Sequence, residues 1–136
     1  MRPTDTQSEP KILALEPPRV FTSPFHSQGV MAVGTAKMAF VSGQVGVRPD
    51  GSMGEGVREQ TLIAIENITR VLGEGELGLA DVVSLRIYLT SHHHIGPFVE
   101  AARPWFCDPR PAATLLIVPS LSNSHLLVQI EAIATR

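Results

Sequence analysis

The sequence predicts an α+β domain in which one sheet carries two helices on a single side. Apolar residues recur at helical spacing between residues 57 and 72, whereas they alternate with polar ones between residues 82 and 89. Further apolar runs of strand or helix length give the order strand, strand, helix, strand, helix, strand, strand. Each apolar face must be buried against another layer, so this order predicts helices packed on one sheet face.

Length and composition indicate a single domain whose ligands are small molecules. The chain has 136 residues, a hydrophobic fraction of 43% and a net charge of -2. This charge gives no basis for a nucleic-acid footprint or a membrane-surface patch, so we expect neither partner. Cys107 is the single cysteine, which excludes an internal disulfide. Because no apolar leader is evident, we expect a cytoplasmic protein in a reducing compartment.

The first third of the chain predicts a flexible start followed by a hairpin. Residues 1–24 are rich in Pro, Thr, Ser and Gln, so we interpret them as a partly flexible extension and residues 25–136 as the domain. The apolar runs at residues 30–33 and 38–41 predict two strands that pair with each other. The Arg-Pro-Asp-Gly sequence at residues 48–51 predicts a turn after them.

The middle of the chain predicts one helix and one two-faced strand. The helix spans residues 57–72, with an inward stripe of Leu62, Ile65, Ile68 and Leu72. In the strand at residues 82–89 an apolar face alternates with Ser84, Arg86 and Tyr88. An unpaired arginine is costly to bury, so Arg86 needs an anionic partner or water.

The last third predicts a second helix and two strands. The helix covers residues 95–106 and is shortened or bent at Pro104. Its inward residues are expected to be Phe98, Ala102 and one of Trp105 and Phe106. Residues 111–136 predict a hairpin in which Gln129 and Glu131 point to one face. We expect other copies of the chain to cover the bare sheet face, where we place Tyr88, Leu115 and Leu127.

Four dispersed motifs carry a resemblance to a known family. They are Ser42-Gly43-Gln44, a helix from Glu59-Gln60-Thr61 to Glu66-Asn67-Ile68, Asp81-Val82-Val83, and Gln129-Ile130-Glu131-Ala132-Ile133-Ala134. With these motifs in order, the chain resembles the RidA/YjgF family, also called endoribonuclease L-PSP. The resemblance implies a chorismate-mutase-like fold with a mixed sheet, and a homotrimer with small-ligand clefts between subunits. It also implies hydrolysis or deamination of imines or enamines without metal or cofactor.

The sequence departs from the family pattern at two positions. Family members with imine deaminase activity carry an arginine in a Pro-Ala-Arg-Ser type motif, where it grips the substrate carboxylate. Here residues 111–114 read Pro-Ala-Ala-Thr, so Ala113 takes the place of that arginine. His26 likewise takes the place of the tyrosine in the family's Tyr-Ser-Gln motif. Glu131 matches the family's acid, which is thought to position or activate water.

The family pattern and the predicted strand faces together give the candidate site residues. The catalytic candidate is Glu131, and the substrate-binding candidates are His26, Arg86, Tyr88, Ala113, Thr114 and Leu115. Three of them have a structural alternative: Glu131 as a brace at the trimer junction, Arg86 as an interface ion pair, and His26 as a surface histidine. Two hypotheses follow, a hydrolase or deaminase acting on an imine, enamine or amide, and a catalytically silent metabolite-binding or regulatory trimer.

The sequence predicts no metal site and no cofactor site. His92, His93 and His94 are adjacent, so their side chains point in different directions, whereas chelation usually needs spaced ligands. We interpret them as a solvated helix cap. Cys107 has no neighbouring lysine and lies near a predicted helix end, so we expect an unreactive thiol.

Overall fold

The computed structural model describes residues 11–19, 24, 27, 29–34 and 37–136. Its regular elements are β1 (Lys11–Leu15), β2 (Gly29–Val33), β3 (Met38–Val45), α1 (Gly56–Glu74), β4 (Val82–Leu89), α2 (Ile95–Ala102), β5 (Ala112–Ile117) and β6 (Val128–Thr135). Short 3-10 segments lie at Leu79–Asp81, His92–His94 and Arg103–Trp105. The predicted α+β class is confirmed, and the predicted strand at residues 82–89 has the observed bounds of β4.

The main sheet is mixed and has the strand order β3-β6-β4-β5. β4 and β5 run parallel, while β6 is antiparallel to both β3 and β4. The predicted hairpin between the last two strands is wrong, because β4 lies between β5 and β6. A parallel pair needs a long crossover, which α2 supplies between β4 and β5, and this leaves the other side of β4 for β6.

The predicted hairpin at residues 30–41 is also wrong within the part of the chain that the structure describes. There β2 pairs with β1 in a separate antiparallel pair, and β3 pairs with β6 instead. Apolar runs separated by a short turn favour pairing of neighbours, but they do not exclude other partners. Residues 11–15, which belong to the predicted extension, form the strand β1.

The core lies between the two helices and one face of the sheet. α1 contributes Ile65, Ile68 and Leu72, which are almost fully buried, and α2 contributes Phe98. Each such side chain stabilises the fold by about 1.5–3 kcal/mol through its removal from water. Leu62 was predicted to point inward, but 38% of it is exposed. The buried face of α1 includes Gln60, Thr61 and Ala64 in addition to Ile65, Ile68 and Leu72.

The alternation of apolar and polar residues in β4 places one face against the helices and the other on the opposite side of the sheet. Leu85, Ile87 and Leu89 are buried under the helices, whereas Arg86 is exposed and Tyr88 half-buried on the other side. We call that other side the open face, meaning the sheet surface that carries residues 84, 86, 88, 129, 131 and 133 away from the helices. In α2 and the segment after it, Phe98, Ala102 and Phe106 are buried, whereas Trp105 is 53% exposed.

The structure corrects the predicted placement of Leu115 and Leu127. Leu115 pairs with Ile87 and Ala113 with Leu85, so both point toward the helices and pack against the core. Thr114 and Leu116 lie on the open face instead, opposite Arg86 and Tyr88. Leu127, also expected on the bare face, packs against the core just before β6. Leu116 is therefore the leucine of β5 that the open face exposes.

The open face is strongly apolar at its margins. Phe40 on β3 is 72% exposed and Leu116 on β5 is 50% exposed in the single chain. Neither helix in the described ranges has the length and apolar character needed to cross a bilayer. Large exposed apolar side chains on a sheet face are typical of a surface that another molecule covers.

Candidate functional site

The antiparallel register of β4 and β6 brings three polar side chains together on the open face. Arg86 lies directly opposite Glu131, and Tyr88 lies opposite Gln129. The Tyr88 hydroxyl donates a hydrogen bond to Oε1 of Glu131 over 3.1 Å. Because residues two apart on a strand share a face, this arrangement follows from the alternation of the two strands.

The ionisation of Tyr88 reflects this contact. Partial burial raises the pKa of the Tyr88 phenol above its ordinary value, and the hydrogen bond and negative charge of Glu131 raise it further. The positive charge of Arg86 opposes the shift. Tyr88 therefore stays protonated at neutral pH and remains a donor to Glu131. One carboxylate oxygen of Glu131 is thus held in place while the other remains open to a ligand or water.

Arg86 extends from the middle of β4 into solvent. Across the described residues we find no hydrogen bond and no ion pair that involves its guanidinium group, although Glu131 is its cross-strand neighbour. Four other arginines do have carboxylate or backbone partners: Arg48, Arg58, Arg70 and Arg136. The guanidinium of Arg86 is therefore available in the single chain for a partner from outside it.

Two recesses of the open face meet at Arg86. The larger has a volume of about 540 Å³ and runs toward β3, and its lining includes Ser84, Glu131, Phe40 and Ile133. The smaller has a volume of about 320 Å³ and runs toward β5. Its walls are formed by Arg86, Ile87, Tyr88, Thr114 and Leu116. Both volumes are in or near the range of small-ligand pockets. Polar and apolar side chains line both recesses.

A β-bulge in β3 shapes the larger recess. Val41 pairs with Ala132 and Gln44 with Ile130, so Ser42 and Gly43 together face Glu131. A Cβ atom on Gly43 would lie 2.4 Å from Nε2 of Gln129, so the glycine allows the Gln129 side chain to lie against β3. Bulges re-aim side chains and are common beside active sites. The glycine within an apolar strand was the sequence signal for this bulge, and our sequence analysis did not use it.

The structure groups some of the predicted site residues and separates others. Glu131, Arg86, Tyr88 and Thr114 share the open face. Ala113 and Leu115 lie on the opposite, helix-facing side of β5, so within one chain they do not line the same recess. The predicted grouping of Ala113 and Leu115 with the other site residues is therefore wrong within one chain, because successive residues of a strand point to opposite faces. His26 lies outside the described residues.

The described residues offer no cluster for a metal ion. In this part of the chain, no three side chains of His, Cys, Asp or Glu are grouped so that they could hold one. His92, His93 and His94 form a 3-10 turn in which the Ser91 hydroxyl accepts a hydrogen bond from the backbone of His93. Cys107 is exposed.

Comparison with known proteins identifies similar chains that are matched over most of their length. A family model described as Endoribonuclease L-PSP matches residues 23–136. A RutC family protein of Pyrococcus abyssi is 32% identical over 105 residues, which cover 76% of this chain and 82% of the relative. A Rid family protein of unknown function from Yersinia pestis has a solved structure with a TM-score of 0.82 and 26% identity, covering 92% of this chain and 98% of that one.

A second solved structure was determined with a small ligand. It is TdcF of E. coli with bound serine, which has a TM-score of 0.70 and 26% identity. The match covers 82% of this chain and 87% of that one.

Proposed function

Because this chain belongs to the endoribonuclease L-PSP family, we propose that its open face binds a small metabolite and hydrolyses or deaminates it. The substrate class is an imine, an enamine or an amide. Glu131 positions or activates the attacking water, and the copies of a homotrimer form the walls of the cleft. The serine bound to the E. coli relative supports a ligand of amino-acid size.

The placement of Glu131 is the observation that supports this proposal most strongly. Its carboxylate lies on an apolar sheet face, beside a recess of about 540 Å³, and receives a hydrogen bond from Tyr88. A carboxylate on an apolar surface is costly to desolvate unless it is hydrogen-bonded or has a function. The Tyr88 bond fixes one oxygen, which leaves the other in position to accept a proton from water.

The proposed reaction balances with water alone. As water attacks the carbon of a C=N bond, Glu131 accepts one proton of the water and passes it to the nitrogen, which gives a neutral amino alcohol. Glu131 then accepts the hydroxyl proton of the amino alcohol and delivers it to the nitrogen, so that the C–N bond breaks, ammonia leaves and the carbon becomes a carbonyl. Catalysis by such proton transfer contributes about 10²- to 10⁴-fold to a rate.

The residue at position 113 narrows the substrate class. Alanine can neither donate a hydrogen bond nor carry a charge, so a carboxylate has no charged contact at this position. The loss of a charge-assisted contact costs roughly 1.5–3 kcal/mol, which corresponds to about tenfold or more in rate. We therefore expect slower turnover of 2-imino acids than in a relative with arginine at this position.

A homotrimer in the cytoplasm is part of the proposal. The exposed side chains of Phe40 and Leu116 support coverage of the open face by further copies of the chain. The lone Cys107 fits a reducing compartment. The net charge of -2 argues against RNA as the ligand, despite the ribonuclease in the family name.

A catalytically silent, metabolite-binding trimer is the second candidate. Ala113 supports it, because the arginine that the family resemblance led us to expect at this position is absent. Such a protein would bind a metabolite on the same face and act on a partner. The two candidates differ in one measurable property, the release of product.

Ammonia release from freshly generated imines tests the proposal. We suggest two substrates, a 2-imino acid generated by an amino-acid oxidase and an uncharged imine generated by an amine oxidase. We expect the protein to accelerate hydrolysis of the uncharged imine more than that of the 2-imino acid. Glu131→Gln should abolish the acceleration while the oligomer persists. If the unmodified protein accelerates neither reaction, the silent trimer is the correct account.

A further inference from the structure

We propose that the larger recess of the open face takes an uncharged imine whose reacting carbon carries an apolar ring, and that Phe40 selects this ring. The inference rests on the proposed function and deepens it, because it names the substituent of the substrate at the same face. Three features of the recess support it: the pairing of Phe40, the small residues beside Glu131 and the charges on the other side of β6.

Phe40 and Ile133 form an apolar pair in the lining of the larger recess. They are direct cross-strand partners on β3 and β6, and both belong to that lining. Phe40 is 72% exposed and Ile133 half-buried, so the pair presents apolar surface that the chain itself leaves in water. The Cβ atoms of such partners lie about 4.5–5.5 Å apart, so the two side chains form one continuous surface. An apolar group that rests on this surface is removed from water together with it, which favours binding.

The distance from this pair to Glu131 sets the size of the substituent. Ile133 and Glu131 lie two residues apart on β6, so their side chains leave the same face about 6.5–7 Å apart. A six-membered ring attached directly to the reacting carbon spans this distance, whereas a methyl group does not. A substrate whose reacting carbon lies at Glu131 therefore places its ring on Phe40 and Ile133.

Small residues on both neighbouring strands leave space for the ring. On β3 the bulge places Ser42 and Gly43 opposite Glu131, and neither has a large side chain. On β4 the partner of Ile133 is Ser84, which lines the same recess. The volume of about 540 Å³ is sufficient for a ring together with its reacting group.

The charges of the recess favour an uncharged substrate. Glu131 pairs directly with Arg86 on the β4 side of β6, whereas Phe40 lies on the β3 side. A substrate carboxylate at the reacting carbon would be repelled by Glu131, and an ammonium group would be repelled by Arg86. Arg86 is exposed and stays hydrated, so a neutral substrate leaves its charge in water. The ring lies on the β3 side, away from the guanidinium group.

Calorimetric titration with benzamide and acetamide tests the assignment without relying on turnover. Benzamide carries a ring next to its carbonyl carbon, and acetamide carries a methyl group in the same place. We expect the unmodified protein to bind benzamide about tenfold or more tightly than acetamide, because the ring buries more apolar surface. In Phe40→Ala this preference should shrink about fivefold or more. Phe40→Leu, which keeps an apolar side chain, should retain part of it.

Met38→Ala is the matched control. Met38 lies two residues before Phe40 on β3 and is 56% exposed, but it lines neither of the two recesses. Its variant should therefore keep the full preference for benzamide. An equal preference in the unmodified protein and Phe40→Ala would overturn the assignment. Light scattering reports the oligomer, and its loss in both Phe40→Ala and Phe40→Leu would also overturn the assignment, because Phe40 would then be an interface residue.

Ammonia release separates this inference from the proposed function. The substrates are the imines of benzylamine and of propylamine, each generated by an amine oxidase. We expect the protein to accelerate hydrolysis of the benzylamine-derived imine more strongly. Equal acceleration of both imines, lost in Glu131→Gln, would overturn the inference and still support the proposed function. Acceleration of neither, with a benzamide preference that depends on Phe40, would refute the hydrolysis and support the ring-binding role of Phe40.

Discussion

Tyr88 and Glu131 form a pair whose properties can be measured directly. The phenol donates to Oε1 of the carboxylate, and partial burial together with the nearby negative charge raises the pKa of Tyr88. A phenol with a raised pKa keeps its proton at a pH where a free tyrosine has begun to lose it. Glu131 therefore keeps its hydrogen-bond donor to a higher pH than an ordinary phenol would allow.

The ultraviolet titration of tyrosinate should report on this pair alone, because Tyr88 is the only tyrosine of the chain. We expect the midpoint in the unmodified protein to lie above the ordinary tyrosine value of about 10. In Glu131→Gln the negative charge is lost, so the midpoint should fall, although it should stay raised by the remaining burial. A midpoint at or below the ordinary value in the unmodified protein would show that the pair does not form.

At the scale of an element, Gln60 connects α1 to two loops. Its side chain is almost fully buried, and its amide nitrogen donates to the backbone oxygens of Gly54 and His125, each over 3.0 Å. Its amide oxygen accepts a hydrogen bond from the backbone nitrogen of Leu127 at 2.8 Å. Gln60 thereby fixes the segment that leads into β6, the strand that carries Glu131.

Removal of this side chain should be costly. Gln60→Ala leaves three backbone groups without their partner, so we expect the free energy of unfolding to fall by about 2–4 kcal/mol. Gln44→Ala is the matched control, because that side chain makes one exposed hydrogen bond, to the backbone of Ser42. Urea denaturation of both variants provides the comparison. Equal losses would mean that Gln60 does not connect these segments.

The strands show which parts of the fold the sequence could predict. In β4 the alternation of polar and apolar residues assigned both faces correctly, including those of Arg86 and Tyr88. β5 is a continuous apolar run, so its pattern contains no information about which residues face the helices. Only the register with β4 places Leu115 inside and Leu116 outside. Strand pairing was likewise unpredictable, because it depends on the crossover through α2.

The positions of the candidate site residues could likewise be predicted only in part from the sequence. The alternating patterns of β4 and β6 predicted which face carries Arg86, Tyr88 and Glu131, and the pairing of the two strands brings these side chains together. Ala113 is separated from them by the orientation of β5. The bulge at Ser42 and Gly43 was missed: Gly43 within an apolar strand indicates a bulge, but its position opposite Glu131 depends on the pairing with β6.

For the whole molecule, the open face determines the expected assembly. We expect a homotrimer with a mass of three times 14.7 kDa. Leu116→Asp should dissociate it, because an unpaired charge in a covered apolar surface costs several kcal/mol. Leu62→Asp is the control: Leu62 is 38% exposed, on α1 at the other side of the sheet, and its variant should remain trimeric. Light scattering measures both masses, and a monomeric mass for the unmodified protein would refute the trimer.

The most direct test of the account is a crystal structure of the protein soaked with a small uncharged amide, which resembles the proposed substrates. The account predicts the ligand on the open face, with its carbonyl carbon toward Glu131. It also predicts that a second copy of the chain closes the cleft beside Leu116. An open face filled by side chains of a neighbouring copy, with Arg86 paired to a carboxylate of that copy and no ligand present, would contradict it.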